Sequence, residues 1–308
     1  MNETFPAADA RLAFTSGVVV VVLSALLMLV FATLALSATL SFLTFLAAVL
    51  AATALVVLVV QLYLLRQVPR HEYVLTPEAL IIRFGAIAEV VPLALIQSAY
   101  AGADVLNRAR VWRYVPLPGW WLGQMTHEEF GRFRMYAVAP LEAQIALITN
   151  GDTHYLIAPF DAEGFLVALR QRLAALPTEA TTSPQVHRPA WLRSPLWRDR
   201  VATGMIAAAL LLNLAQFGAA AARYPALPAQ VPAHFDAQGK PDRYADKRFV
   251  LVLPSFAALS LLVSVLLGLV LYHRQERSAA LLMWSIGGIG QVLFAVALLT
   301  VGFGASAT

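Results

Sequence analysis

The chain has 308 residues, of which 59% are hydrophobic and 13% charged, with a mean hydropathy of +0.69. Soluble globular domains carry about 25% charged residues, so composition alone places this chain in a membrane class and makes the lipid bilayer its first partner. Its net charge of +4 is read as loop anchoring rather than nucleic-acid binding, since no basic stripe interleaves with a recognition element, and the absence of cysteine excludes disulfides, thiolate metal sites and a cysteine nucleophile.

No charged residue occurs between Leu12 and Leu65. A crossing needs about 20 apolar residues at 1.5 Å rise, so two helices are predicted, over about 13–36 and 41–65. The reversal falls in "LSATLS", Leu36 to Ser41, which is rich in Ser and Thr and lacks Gly or Pro. A cleaved leader would have an apolar run of only about 7–15 residues, so both helices are expected to be retained.

Residues 70–177 change rhythm. "YVL", the turn "TPEA" with Pro77, "LIIRF", Gly85, "IAEVV" and Pro92 predict three short strands joined by turns. "PLPGWWLGQ", Pro116 to Gln124, sets Trp120 and Trp121 in a Pro/Gly-rich loop, either dipping into lipid or plugging a barrel. Asn150-Gly151 joins two strand-like runs as a hairpin. Asp161 is a good N-cap, and Phe165, Leu169, Leu173 and Leu176 share one face of a helix that Pro177 ends. The expected unit is a small half-open barrel or sandwich with a helix packed on its end.

The linker 178–200 carries "HRPAWLRSPLWRDR". Trp191 and Trp197 suit the headgroup region, and Arg193, Arg198 and Arg200 gain up to about 1 kcal/mol each from anionic lipid. An interfacial anchor is the reading. Three further apolar runs follow, over about 201–222, 249–272 and 279–303. Asn213, Gln216 and Gln291 interrupt them mildly and predict interhelical hydrogen bonds, while Gly287, Gly288 and Gly290 predict close helix approach. No Asp, Glu, Lys or Arg lies inside a predicted span, so no charged relay or ion path is marked.

Five spans put the termini on opposite sides. With the N-terminus cytoplasmic, Arg11, Arg66, Arg70, Arg188, Arg193, Arg198, Arg200, Arg274 and Arg277 flank spans on that side, against Arg223, Lys240, Arg243, Lys247 and Arg248 outside. The positive-inside rule then favours the bacterial inner membrane with the N-terminus and domain 70–177 cytoplasmic and the C-terminus outside.

The loop "VPAHFDAQGKPDRYADK", Val231 to Lys247, concentrates the polar residues of the last third. His234, Asp236, Asp242 and Asp246 are metal-ligand types, but no second histidine fixes a paired spacing. The favoured reading is structural or partner-binding. Asp242 is expected to accept amides across the Gly239-Lys240-Pro241 turn and His234 to satisfy carbonyls; Pro232 stiffens the chain, and Phe235 and Tyr244 pack over helix ends. Metal and cofactor are expected to be none.

Two resemblances follow from these residues. "YVLTPEALIIRFGAIAEVVPLALI" and "THYLIAPFDAEGFLVALRQRL" resemble the opening strands and the closing strand and helix of bacterial pleckstrin-homology-like domains, with Ala158 where a serine is usual. The resemblance implies a β-rich domain capped by a C-terminal helix. The turn Thr76-Pro77-Glu78 is short and acidic where phosphoinositide binders are basic, which implies protein contact rather than headgroup binding. "RYPALPAQVPAHFDAQGKPDRYADKRFVLVLP" resembles the domain of unknown function 1648, also found at the front of SdpI-type immunity and signalling proteins. Tyr224, Pro225, Leu227, Pro228, Pro232, His234, Phe235, Gly239, Pro241, Asp242 and Lys247 carry that match; the further region that completes SdpI is not seen.

The expected architecture is a multi-pass α-helical membrane protein of five spans with an inserted domain: a hairpin over 1–69, the β-rich domain over 70–177, a linker over 178–200 and a membrane region over 201–308 holding the family loop 223–254. The expected function is a non-enzymatic scaffold or sensor with a protein partner; a homo-oligomer is left open. No GxGxxG, Walker loop, H-E-x-x-H or G-x-S-x-G supports an enzyme. The alternatives are a metal-dependent hydrolase centred on His234 and, from the company the loop keeps, a peptide-toxin immunity protein.

Overall fold

A computed structural model describes residues 2–37, 39–102, 109–113, 117–140, 143–176, 184–187, 194–238 and 240–304. The chain divides into two compact units, Met1–Ala25 with Leu55–Arg193 and Leu26–Ala54 with Ser194–Thr308. Among the described residues, five helices are long and apolar enough to cross a membrane. An apolar surrounding offers backbone groups no water, so each run satisfies them internally as helix. This fits a multi-pass helical membrane protein with a β-rich insert.

Helices α1 (Arg11–Ser37) and α2 (Phe42–Gln67) contribute to both units. The break falls where the Ser/Thr stretch predicts it. Ser41 and Thr44 cap each other: the Ser41 amide donates to Thr44 Oγ1 at 2.8 Å and the Thr44 amide to Ser41 Oγ at 3.3 Å.

In the first unit β1 (Glu3–Pro6) pairs antiparallel with β2 (Glu72–Leu75), followed by β3 (Ala79–Phe84) and β4 (Ile87–Pro92). Thr76 accepts from and faces Ala79 across the tight turn, and Gly85 supplies the positive φ of 60° that reverses β3 into β4. The second sheet holds β5 (Ile96–Ala101), β6 (Ala109–Arg113), β7 (Trp121–His127), β8 (Gly131–Ala137), β9 (Ile145–Thr149) and β10 (Thr153–Ile157) in the order β5-β9-β10-β8-β7-β6. The β9–β10 hairpin turns at Asn150-Gly151 as expected, and among the described residues only the β8–β10 pair is parallel.

Helix α3 (Ala162–Ala174) closes the unit, with Asp161 Oδ1 accepting from the Gly164 amide at 2.8 Å. Phe165 and Leu169 are buried against Tyr73, Leu75, Leu80 and Ile157, with Leu173 and Leu176 at the margin. The helix stops at Ala174; Pro177 lies outside the described residues.

Two features were not anticipated. Strand β1 links both sheets: besides its ladder to β2, Ala8 donates to the Ala158 carbonyl at 2.7 Å and Phe160 donates to that of Pro6 at 2.8 Å. Phe5 meets Phe165 edge-on, with ring centroids 5.3 Å apart. Within the predicted linker, β11 (Gln185–His187) adds to the outer edge of β4. Trp120 is fully buried rather than dipping into lipid, but it packs with Ala13, Leu65 and Val68 of the N-terminal helices instead of plugging the barrel core, and its Nε1 donates to the Ala13 carbonyl at 2.8 Å.

The second unit contains α4 (Arg200–Arg223), β12 (Gln230–Phe235), β13 (Pro241–Asp246), α5 (Val252–His273) and α6 (Arg277–Gly304). Helices α5 and α6 turn at Arg274 to Glu276, where Gln275 takes a φ of 67°. Of the three expected close-approach glycines only Gly287 acts so, standing against Ser264, whose hydroxyl donates to the Met283 carbonyl at 2.6 Å. A β-carbon at Gly288 would meet open space, and one at Gly290 would lie 4.0 Å from Ser260, an ordinary contact. Gly268, beside the Trp284 indole, does the work expected of them.

Candidate functional site

The polar loop folds as a two-stranded ribbon. Pairs Val231↔Ala245, Pro232↔Tyr244, His234↔Arg243 and Phe235↔Pro241 skip Ala233 on one strand and Asp242 on the other, so irregularities on both strands twist the ribbon. Val231 and Pro232 are buried, whereas His234, Asp242, Arg243 and Tyr244 are exposed and Phe235 and Pro241 are half-buried. Pro232 is tolerated because a two-stranded ribbon leaves one edge of each strand without ladder bonds.

The turn amides go to a different aspartate from the one expected. Asp236 Oδ1 accepts from Gln238 at 2.9 Å and from Lys240 at 2.7 Å, and the Asp236 amide closes the turn on the Lys240 carbonyl. Asp242 instead meets His234 Nδ1 at 2.6 Å, with both side chains about half exposed, at 47% and 62%. Neither holds a buried backbone group. Tyr244 is likewise no anchor, being 53% exposed. Gly239 lies outside the described residues. No group of three or more His, Asp or Glu that could hold a metal ion forms among the described residues.

Lys247 does fasten the ribbon. Its amide donates to the Ala229 carbonyl at 3.0 Å, and its Nζ sits 4.7 Å from the centre of the Tyr224 ring, a cation–π contact. Asp246 caps the following turn through the Arg248 amide at 2.8 Å. The three charged roles thus divide cleanly: Asp236 shapes the tip, Lys247 and Asp246 fix the base, and His234 with Asp242 face outward.

Below the ribbon, the three helices meet at amides. Asn213 Nδ2 donates to the Pro254 carbonyl and to Gln291 Oε1, both at 3.1 Å. Gln216 Nε2 donates to the Gln291 carbonyl at 3.1 Å, and Gln291 Nε2 to the Ala257 carbonyl at 2.7 Å. Gln291 is fully buried and bridges α4 and α5, as the interhelical reading expects; Gln216 Oε1 is left without a partner.

At the far end of the same helices stands Asp199, which went unmarked in the sequence although an Asp before an apolar run signals an N-cap. It accepts from the Ala202 amide at 3.2 Å, from Arg277 Nε at 2.6 Å and Nη2 at 3.1 Å, and from Tyr272 at 3.1 Å. The Arg277 hydrogen bonds, then that of the Ala202 amide, hold its carboxyl well below the usual range. Of the predicted anchor, Trp197 is 63% exposed and Arg198 and Arg200 are exposed, while Trp191 and Arg193 lie outside the described residues.

The β-rich unit hides a second unmarked carboxylate. Glu89 on β4 is fully buried, 2.6 Å from Arg134 Nη1 and Tyr136 Oη and 2.8 Å from Tyr155 Oη. Burial, then the Glu89 charge, raises the Tyr155 hydroxyl pKa. Strand alternation sets Glu89 on the face of Val91, which was a readable signal. His71 is buried beside Tyr73 and Phe84 with neither ring nitrogen hydrogen-bonded, and burial lowers its pKa to about 3.

These two regions, a β-rich helix-capped domain and a helix–ribbon–helix segment, define the class of the chain: a membrane protein with one inserted domain. Residues 71–173 match the family model of the bacterial PH domain, and residues 211–258 match the domain of unknown function DUF1648. The order is the one the two resemblances imply. The second match runs from α4 through the ribbon into α5 and includes Asn213, Gln216, His234, Asp242 and Lys247. No curated protein and no solved structure matches the chain.

Proposed function

We propose that this chain is a non-enzymatic scaffold or sensor of the bacterial inner membrane, presenting the ribbon 230–246 outside the cell and the PH-like domain in the cytoplasm. The observation that carries the reading is the division of labour in the ribbon. Its fold is secured by Asp236, Asp246 and Lys247, which leaves His234, Asp242, Arg243 and Tyr244 exposed and free of structural duty. Exposed polar and aromatic side chains on a fixed backbone suit recognition of a protein partner. The orientation is supported by the arginine distribution. The pairing of β1 with β2 across two intervening spans supports one part of this reading, that the N-terminus and the PH-like domain share a side.

A photo-crosslinking amino acid at Tyr244 tests the reading in intact cells. A discrete adduct to one other protein, lost when the probe moves to buried Val231, is expected. Adducts to lipid alone would overturn it.

A further inference from the structure

The second unit carries a groove on its lipid-facing side. Leu211, Leu214, Ala215, Gly218, Ala219 and Ala222 of α4 form one wall and floor, and Phe42 and Phe45 at the start of α2 form the other. Its volume is about 390 Å³ and its lining is almost wholly apolar. The floor depends on glycine, because a β-carbon at Gly218 would stand 3.1 Å from the Phe45 ring. It is open at the side, with Leu211 66% and Phe42 50% exposed.

We propose that this groove holds one acyl chain of a resident phospholipid, with the phosphate at the Arg223 end. The inference takes the five helices as membrane spans and is independent of the partner reading above. Three features select a lipid chain. The wall from Leu211 to Ala222 rises about 16 Å at 1.5 Å per residue, close to the roughly 15 Å half-thickness of a bilayer core. The almost wholly apolar lining gives a hydrogen-bonding partner nothing to pair with and suits hydrocarbon. Both walls also end together, α2 beginning at Phe42 and α4 ending at Arg223, which sets a cation at the level of the headgroup phosphate.

The test uses the full-length protein in vesicles of phosphatidylethanolamine and phosphatidylglycerol, with a diazirine in the tail of a small fraction of either lipid. After irradiation and mass spectrometry, peptides covering 211–222 should carry several-fold more lipid adduct than the bare α1 face at Val22 to Val30. The groove-filling pair Ala215→Leu and Ala219→Leu, both at exposed positions, should bring that labelling down to the level of α1 with an unchanged thermal midpoint. Arg223→Gln, which leaves the groove itself intact, should lower labelling by the phosphatidylglycerol probe relative to the phosphatidylethanolamine probe. Even labelling of all lipid-facing helices, unaltered by groove filling, would mean bulk lipid only and would overturn the proposal. Adducts joining 211–222 to a second protein chain would overturn it as well.

Discussion

The ribbon and the β-rich unit each contain a short carboxylate contact to a basic side chain, and the two are nearly identical in length. His234 and Asp242 lie 2.6 Å apart in the open, whereas Glu89 and Arg134 lie 2.6 Å apart with the carboxylate fully enclosed. The distance is the same and the consequences are opposite. In water, either partner of the exposed pair is re-solvated when the other is lost, so the pair contributes little to folding. In the enclosed site, losing Glu89 removes the carboxylate that the half-buried Arg134 and the buried Tyr155 hydroxyl use, and water reaches that position poorly. Burial, rather than geometry, separates a surface available for recognition from one committed to structure.

At neutral pH, the largest effect of a single substitution is therefore expected at Glu89. Glu89→Ala should destabilise the β-rich unit by about 3 kcal/mol, the lower part of the range for breaking buried pairs, because Arg134 keeps some solvent contact. A drop in the first thermal transition in detergent would register it; a drop of only a few tenths would equate the two carboxylates and break the comparison. Acid should act next, through His71. Its pKa is about 3 folded against an ordinary 6.5, so the unfolded chain binds the extra proton between those values. Its contribution is complete above pH 6.5 and is lost at about 1.4 kcal/mol per pH unit as pH falls toward 3. His71→Phe should flatten that slope, and because neither nitrogen has a partner the variant should be no less stable at pH 7.

In the helical unit, Gln291→Leu removes the side-chain amide that accepts from Asn213 and Gln216 and donates to the Ala257 carbonyl, while the backbone carbonyl that Gln216 also uses stays. A loss of about 1–2 kcal/mol in the thermal melt is expected, since interhelical hydrogen bonds in membranes are worth about 0.6–1.7 each. The smallest effect belongs to the ribbon. His234→Ala and Asp242→Ala should each shift stability by less than about 1 kcal/mol while altering partner capture. A large loss of stability in either would return the pair to a structural role.

Much of this architecture is legible because its signals are local. Twenty apolar residues in a row read as a crossing wherever they occur, and Thr76, Gly85, Asn150 and Asp161 mark turns or caps through their own backbone chemistry. Strand β1 was invisible because "ETFP" carries no periodicity and its partners lie beyond two helices, at Glu72–Leu75 and Ala158–Phe160. The ribbon's aspartates were confused for a related reason. Asp236 and Asp242 both flank the turn in sequence, and the ribbon's two register shifts, one at Ala233 and one at Asp242, are not legible there. Gly287, Gly288 and Gly290 look alike in a run of apolar residues, but only Gly287 stands tightly against a neighbouring helix.

The proposed placement of ribbon and domain on opposite sides of a membrane can be measured directly, because the chain has no cysteine to give background. Single cysteines at exposed Tyr244 on the ribbon and exposed Arg170 on α3 would be treated in intact cells with a membrane-impermeant maleimide. The account predicts that Tyr244→Cys is labelled at once and Arg170→Cys only after the membrane is opened. Labelling of Arg170→Cys in intact cells, or protection of Tyr244→Cys there, would contradict it.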